Sequence, residues 1–435
     1  SKNHFFYNLN SNLDFDYFED SNLKLEIKRT SNDTYLRAQK ISSEINDNDN
    51  VLQSSLNLDL YSEDLSIDAN VIIYENLDRI KSDRYEFIFP EINLIKNLEN
   101  KTNLEGDFTF KSNNLYKNYD TNVFETLNIN DLVFNSNPKI SKSGFYNNYE
   151  FIVRNSNTDS ENSNNYKNKE SSYVSGLFQF NSSLPMIKES VSHKNLIKPK
   201  IALKISPNQQ KNNSINSFTR TDVNSIYGLN RLASNDTLES GISFTYGNEF
   251  KRINKDDSRE NLVVNLANNL RIEENKDLPT NNQMGLKTSN LFGEIIFDPS
   301  EFFTTKYNFS KKNNLDDFTY ESIITTLNFE NFVTTFDYIN ENEAEDGKKS
   351  YLLSKFQYNL NSSNNISFST RENKETNLTE YYNFVYQYKN DCLAASIEYN
   401  KSYYDDRDLK PEENVFFKLT IMPFGQIAST PNLLE

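Results

Sequence analysis

The stretch Glu321–Ile339 reads ESIITTLNFENFVTTFDYI. Ile323, Thr325, Leu327 and Phe329 fall on every second position, and after Glu330-Asn331 the beat resumes at Phe332, Thr334, Phe336 and Tyr338. A period of two puts such a set on one face of an extended strand. Two runs of this kind joined by two polar residues predict a β-hairpin. The pattern repeats upstream at Leu291/Gly293/Ile295/Phe297 and Phe303/Thr305/Tyr307/Phe309, and downstream at Tyr382/Phe384/Tyr386/Tyr388 and Leu393/Ala395/Ile397/Tyr399. Nearer the start, Leu23, Leu25 and Ile27 alternate with Lys24, Glu26 and Lys28, and Leu56, Leu58 and Leu60 with Asn57 and Asp59. Ile67/Ala69/Val71/Ile73 and Leu104/Gly106/Phe108/Phe110 continue the series. No sustained helical spacing occurs; Asn261–Leu270 is ambiguous.

The 435 residues are only 36% hydrophobic and 25% charged, a share at which a packed soluble core is hard to build. Yet 32 Phe and 26 Tyr are too many for a disordered chain. A polar average with abundant aromatics fits a barrel with a wet interior and an apolar outer band. No apolar run approaches the roughly 20 residues of a membrane-spanning helix, whereas a spanning strand needs only about 9–11. Polar stretches at Asn155–Ser172, Pro207–Asn216, Glu273–Gln283, Asn340–Ser350 and Asn400–Asn414 are predicted as long loops alternating with short turns. The expectation is an all-β, transmembrane antiparallel β-barrel with about 18–22 strands in this chain.

A net charge of −16 gives no footprint for nucleic acid. Two His (His4, His193) and one Cys (Cys392) supply neither a metal site nor a catalytic triad, and no glycine-rich phosphate loop occurs. Cys392, in a strand predicted over Asn390–Tyr399, reads as a small buried hydrophobe. Carboxylates are spread everywhere, so no pair stands out for acid–base work. The chain reads as a non-enzyme without a cofactor. On the residues alone, a solute porin or receptor barrel and a surface β-sandwich adhesin remain alternatives.

Three stretches are similar to the C-terminal region of the LptD (OstA/Imp) family of lipopolysaccharide-assembly proteins. Arg29-Thr30-Ser31-Asn32-Asp33-Thr34-Tyr35-Leu36-Arg37 resembles the family's R-x-S-D-D-T-Y-L-R. Leu196–Pro207 resembles a family strand, and leads to Asp222, Asn224, Leu229, Asn230, Arg231, Asp236, Glu239, Gly241, Tyr246 and Gly247 in a spacing like the family's loop. Val415–Gly425 is similar to the closing strand of these barrels.

The resemblance implies a function and a set of partners. A member transports lipopolysaccharide and inserts it into the outer leaflet of the Gram-negative outer membrane. The sugars pass through the barrel lumen, and the lipid leaves through a lateral seam between first and last strands. An LptE-type lipoprotein plugs the barrel, an LptA-type bridge delivers through a periplasmic jellyroll, and the barrel-assembly machinery inserts it. On this reading residues 1–425 are the C-terminal portion of a barrel of about 26 strands and 426–435 a tail. Signal peptide, jellyroll and first strands are expected before Ser1.

Val415, Phe416, Phe417, Lys418, Leu419, Thr420, Ile421 and Pro423 would form one side of the seam. Pro423, which cannot donate to a ladder, either weakens that seam or marks a strand ending at Met422. Lys198, Lys200 and Lys204 lie opposite Ile197, Ile201, Leu203 and Ile205 on a strand, either as a basic lumen stripe for lipid A phosphates or as charges paired across the strand. Asn230 and Arg231 would either contact saccharide or fix a loop by hydrogen bonds. Asp222, Asp236 and Glu239 would either hold a cation or be solvated loop acids, with Asn224 in the same motif.

Overall fold

The computed structural model describes residues 3–36, 50–79, 82–207, 212, 220–232, 236–344, 347–403, 411–421 and 425–429. Its strands, in chain order, are β1 (His4–Asn12), β2 (Asp20–Thr30), β3 (Val51–Tyr61), β4 (Leu65–Asn76), β5 (Tyr85–Leu98), β6 (Gly106–Tyr119), β7 (Val123–Ser136), β8 (Lys139–Ile140), β9 (Tyr146–Glu161), β10 (Ser171–Ser183), β11 (Met186–Glu189) and β12 (His193–Ser206). They continue as β13 (Gly241–Asn254), β14 (Glu260–Arg271), β15 (Leu291–Ser300), β16 (Phe303–Lys311), β17 (Phe318–Phe329), β18 (Phe332–Ala344), β19 (Gly347–Asn361), β20 (Asn364–Asn373), β21 (Leu378–Lys389), β22 (Leu393–Ser402), β23 (Glu412–Ile421) and β24 (Gly425–Ser429). Apart from the short β8, β11 and β24, 21 strands run nine to 16 residues, long enough to cross a hydrocarbon layer. The Ser225–Tyr227 turn is 3-10.

Two units divide these residues: one of Ser1–Asn181, Leu203–Asn216 and Leu232–Ile242, the other of Ser182–Ala202, Ser217–Arg231 and Ser243–Glu435. Each is an antiparallel meander. In the first, β1 to β7 pair consecutively and β7 pairs with β9. In the second, β13 to β24 pair consecutively. Apart from the short β8, which β7 skips to pair with β9, these ladders join strands that follow one another in sequence, the low-cost way to satisfy backbone polar groups where water is absent.

The alternation sorts side chains as the sequence predicts. In the second unit Val264, Ile295, Tyr307, Ile323, Tyr338 and Leu352 lie on one rung across six strands. A second rung of the same face carries Phe356, Phe368, Phe384 and Tyr399. This face leaves large apolar side chains uncovered (Phe244 is 38% exposed and Leu266 40%), while Ser243 and Thr245 on the other face are 2% exposed. That is the reverse of a soluble protein and the arrangement expected when lipid replaces water outside.

In the first unit the same face runs Leu58–Ala69–Ile92 and Leu60–Ile67–Leu94 across β3, β4 and β5. The next three strands continue these two rungs as Asn114–Asn128–Asn157 and Ser112–Asn130–Asn155. The amides satisfy one another: Ser112 Oγ donates to Asn130 Oδ1 (2.8 Å), Asn130 Nδ2 to Asn128 Oδ1 (2.7 Å), Asn157 Nδ2 to Asn128 Oδ1 (3.1 Å) and Asn128 Nδ2 to Asn114 Oδ1. The opposite face is charged, with Glu26 between Lys24 (2.6 Å) and Lys28 (3.4 Å).

Several expected loops are strand. Asn340–Ser350 is mostly ladder, with Asn340 opposite Ser350 and Glu341 opposite Lys349. β9 runs on to Glu161 and β10 starts at Ser171, so only 162–170 connects them. β22 and β23 likewise extend to Ser402 and from Glu412. Hydrophobic alternation fades where strands are polar on both faces, but backbone pairing does not need it. Asn261–Leu270 is strand, within β14, and Leu104 precedes β6. Cys392 is exposed, contrary to the buried reading: it sits in the Asn390 turn, whose Oδ1 accepts from the amides of Cys392 (3.0 Å) and Leu393 (2.8 Å).

Gly106 opens β6 at φ +154°, and a Cβ there would stand 2.2 Å from the Asn135 carbonyl oxygen. Gly106→Val is expected to cost about 1–3 kcal/mol by forcing β6 off β7. A lowered temperature for the heat-dependent gel shift checks this, and an unchanged temperature refutes it.

Candidate functional site

Buried charge in the first unit concentrates where residues 236–240 cross the charged face of β7 and β9. Asp236, Thr237, Leu238, Glu239 and Ser240 are all buried. Asp131 of β7 and Arg154 of β9 stand opposite each other and form two parallel bonds, Nε to Oδ1 at 2.7 Å and Nη2 to Oδ2 at 2.6 Å. This bidentate fit uses the planarity of guanidinium and carboxylate, and leaves Arg154 Nη1 to donate to the Thr237 carbonyl (3.4 Å). Ser156 Oγ donates to the Asp236 carbonyl (3.1 Å), and Lys204 Nζ meets Glu239 Oε2 (3.4 Å) with both side chains almost wholly buried. From the 162–170 connection, Tyr166 donates its phenol to Asp236 Oδ2 at 2.5 Å. Burial, then the Asp236 charge, hold that phenol protonated far above the ordinary tyrosine range. A polar cavity of about 340 Å³ borders this clamp, with Tyr166, Tyr173, Asn165, Thr158 and Ser156 in its wall.

In the second unit a second loop is pinned the same way. Asp222 Oδ1 accepts from the amides of Asn224 (2.8 Å) and Ser225 (2.7 Å), shaping the turn into Ser225–Tyr227. That turn drops Ile226 into a cluster with Val223, Ala267, Met284 and Phe292. Arg231 is buried and donates to Asn269 Oδ1 (2.9 Å), Ser243 Oγ (3.0 Å) and Thr245 Oγ1 (3.2 Å), all on the inward face of β13 and β14. Gly247 makes room for this: a Cβ there would meet the Tyr227 hydroxyl at 2.3 Å. Arg220 forks both oxygens of Glu341 at 2.7 Å and lies over the Tyr320 ring. Asn224 is exposed and Asn230 half-buried.

The motif residues therefore do not gather at one point. Asp236, Glu239 and Lys204 belong to the first clamp, Asp222 and Arg231 to the second. Lys200 is paired with Glu249 at 2.5 Å, and Lys198 is half-buried near the same carboxylate. In β23, Val415, Phe417, Leu419 and Ile421 share one face and Phe416, Lys418 and Thr420 the other; Phe416 is buried and Lys418 pairs with Glu398 (3.1 Å). β23 is bonded to β22 along its length and to β24 over Phe417–Ile421. Pro423 lies outside the described residues. Sequence reasoning missed Asp131, Arg154 and Tyr166: nothing local in Asn-rich strands marks two charges 23 positions apart as partners. Among the described residues no His, Cys, Asp and Glu group is arranged to hold a metal.

Arg154→Met leaves Asp131 buried without its fork and is expected to cost about 3–5 kcal/mol, while Arg154→Lys costs less. Thermal unfolding in detergent, with protease cleavage near residue 236, reads both. Equal stability of wild type and Arg154→Met would refute the clamp.

No curated protein matches the chain in sequence. Solved structures that resemble it include the siderophore receptor PirA from Acinetobacter baumannii (8% identity, 85% of this chain, 71% of that one, TM-score 0.38). Others are a mutant of the ferric enterobactin receptor PfeA from Pseudomonas aeruginosa (9%, 97% and 73%, 0.39) and the ferric-catecholate import receptor Fiu from K12 E. coli (9%, 92% and 80%, 0.33). The family model for LptD, LPS transport system D, matches residues 2–350. With that match over most of its length, the chain belongs to the LptD family, lipopolysaccharide-transport β-barrels of the Gram-negative outer membrane and not an enzyme family.

Proposed function

We propose that this protein inserts lipopolysaccharide into the outer leaflet, with the sugars passing on the charged side of the sheet and the acyl chains leaving sideways through a seam. The family match over residues 2–350 carries this reading. The separation of an apolar face from a charged one supports it, because an amphiphile crossing a membrane needs both surfaces side by side. The cavity beside Tyr166 and Tyr173 offers hydroxyls, amides and aromatic rings, the groups that bind saccharides. Residues 1–425 would serve as the C-terminal portion of the barrel wall; the expected 426–435 tail instead begins as β24 (Gly425–Ser429), which covers Phe417–Ile421, so a seam on β23 (Val415–Ile421, and Pro423 beyond it) would need β24 to come away. An LptE-type lipoprotein would fill the lumen, and an LptA-type bridge would deliver the lipid from the periplasm. The paired state of Lys200 and Lys204 favours a structural role for them over a stripe open to lipid A phosphates.

Depleting the full-length protein in its host, then labelling surface lipopolysaccharide, tests this. Loss of surface lipopolysaccharide with accumulation behind the outer membrane is expected. Unchanged surface lipopolysaccharide with reduced uptake of small solutes would overturn it in favour of a porin.

A further inference from the structure

β2 and β3 are paired from Asp20 opposite Tyr61 to Glu26 opposite Ser55, and there the ladder stops. Both strands continue, β2 to Thr30 held by β1, and β3 from Val51 held by β4. Among the described residues no register pair joins Ile27–Thr30 to Val51–Ser54. The Ser54 side chain bridges the gap, its Oγ accepting from the Lys28 amide (2.9 Å) and donating to the Lys28 carbonyl (3.2 Å). A cleft of about 580 Å³ occupies the splayed region.

The cleft is amphipathic along the strands. Leu25, Ile27, Leu56, Val71 and Ile73 line its apolar part, on the face that carries the apolar rungs. Arg29 stands beyond them on the same face, exposed and without an ion pair among the described residues. Lys28 lines the cleft with the backbone that Ser54 holds, while its side chain lies on the charged face, paired with Glu26 at 3.4 Å. Beside this face Tyr85, Phe87 and Phe89 follow one another along β5 with ring contacts at 5.9 and 5.8 Å, Tyr85 opposite Glu75 at the Arg29 end and Phe87 opposite Ile73. The carboxylates nearby are already engaged: Glu75 with Tyr85 (3.1 Å) and Arg84 (3.4 Å), Glu26 with Lys24 and Lys28. An exposed cation at one end of an apolar floor matches one ligand chemistry.

We propose that the splayed β2–β3 cleft is a binding site for an acylated, phosphate-bearing lipid, its chain on Leu25, Ile27, Leu56, Val71 and Ile73 and its phosphate at Arg29. It rests on the reading that this face meets lipid; the phosphate donor is either lipopolysaccharide or a phospholipid. The test places photoreactive benzoyl-phenylalanine at Ile27 or at Leu94, an outward position away from the cleft, in the full-length protein in cells. Adducts are identified by mass spectrometry. Selective labelling at position 27 is expected, falling about fivefold or more in Arg29→Glu, as befits one basic side chain at an anionic headgroup, and kept in Arg29→Lys. The heat-dependent gel shift confirms that each variant is folded. A lipopolysaccharide adduct puts the cleft on the transport route, and a phospholipid adduct makes it a fixed lipid site; both support the proposal. Equal labelling at 27 and 94, or indifference to Arg29→Glu in folded protein, means ordinary surrounding lipid and overturns it. Loss of surface lipopolysaccharide on depletion together with equal labelling would sink the cleft alone; unchanged surface lipopolysaccharide with a selective phospholipid adduct would sink the transport reading and leave the cleft.

Discussion

Everything in this fold depends on the need to pair backbone N–H and C=O groups where no water reaches them. An unsatisfied peptide group in hydrocarbon costs several kcal/mol. Antiparallel neighbours joined by short turns meet that need, and each unit is built as such a meander. Once pairing is fixed, the period of two divides side chains into an apolar set and a charged set. Places where this rule relaxes then become informative. The Asn and Ser rungs of β6, β7 and β9 interrupt the apolar face but bond to one another. The β2–β3 ladder stops early, with only a serine hydroxyl in its place.

The charged face does a second job: it holds loops. Arg154 and Arg231 play complementary parts in the two units, both buried: Arg154 on β9 reaches the Thr237 carbonyl of a loop, and Arg231 in a loop reaches Asn269 of β14 and the Ile226 carbonyl. Arginine suits this because it stays charged and spreads several donors in a plane. A loop anchored by paired, desolvated charges keeps its place against a wet surface. The acids of the family motif take part in this anchoring: Asp222 accepts from the amides of Asn224 and Ser225, Asp236 from Tyr166, and Glu239 meets Lys204.

The strands were legible wherever apolar residues alternate. Glu321–Ile339 is the hairpin that its pattern predicts, with Glu330 and Asn331 between β17 and β18. Legibility failed where both faces are polar: Asn340–Ser350 and Asn155–Glu161 carry no hydrophobic beat, yet cross-strand pairing joins Asn340 to Ser350 and Glu341 to Lys349 and holds Asn155–Glu161 against β7. Cys392 was misread because Asn390 closes a turn just before β22. The Asp131–Arg154 fork could not be seen, since it depends on the β7–β9 register across the small β8 excursion. Likewise Arg29 was noticed as part of a motif, but only the missing rungs beyond Glu26 show that it borders a cleft.

The central claim is that one face of these strands meets hydrocarbon and the other meets water. The direct measurement is a single-cysteine scan of Ser322–Leu327 in Cys392→Ser protein reconstituted in lipid, with a lipid-soluble quencher and a water-soluble one. Ile323, Thr325 and Leu327 should be reached by the lipid-soluble quencher, and Ser322, Ile324 and Thr326 should not. Uniform access to the water-soluble reagent, or the opposite phase, would contradict the account.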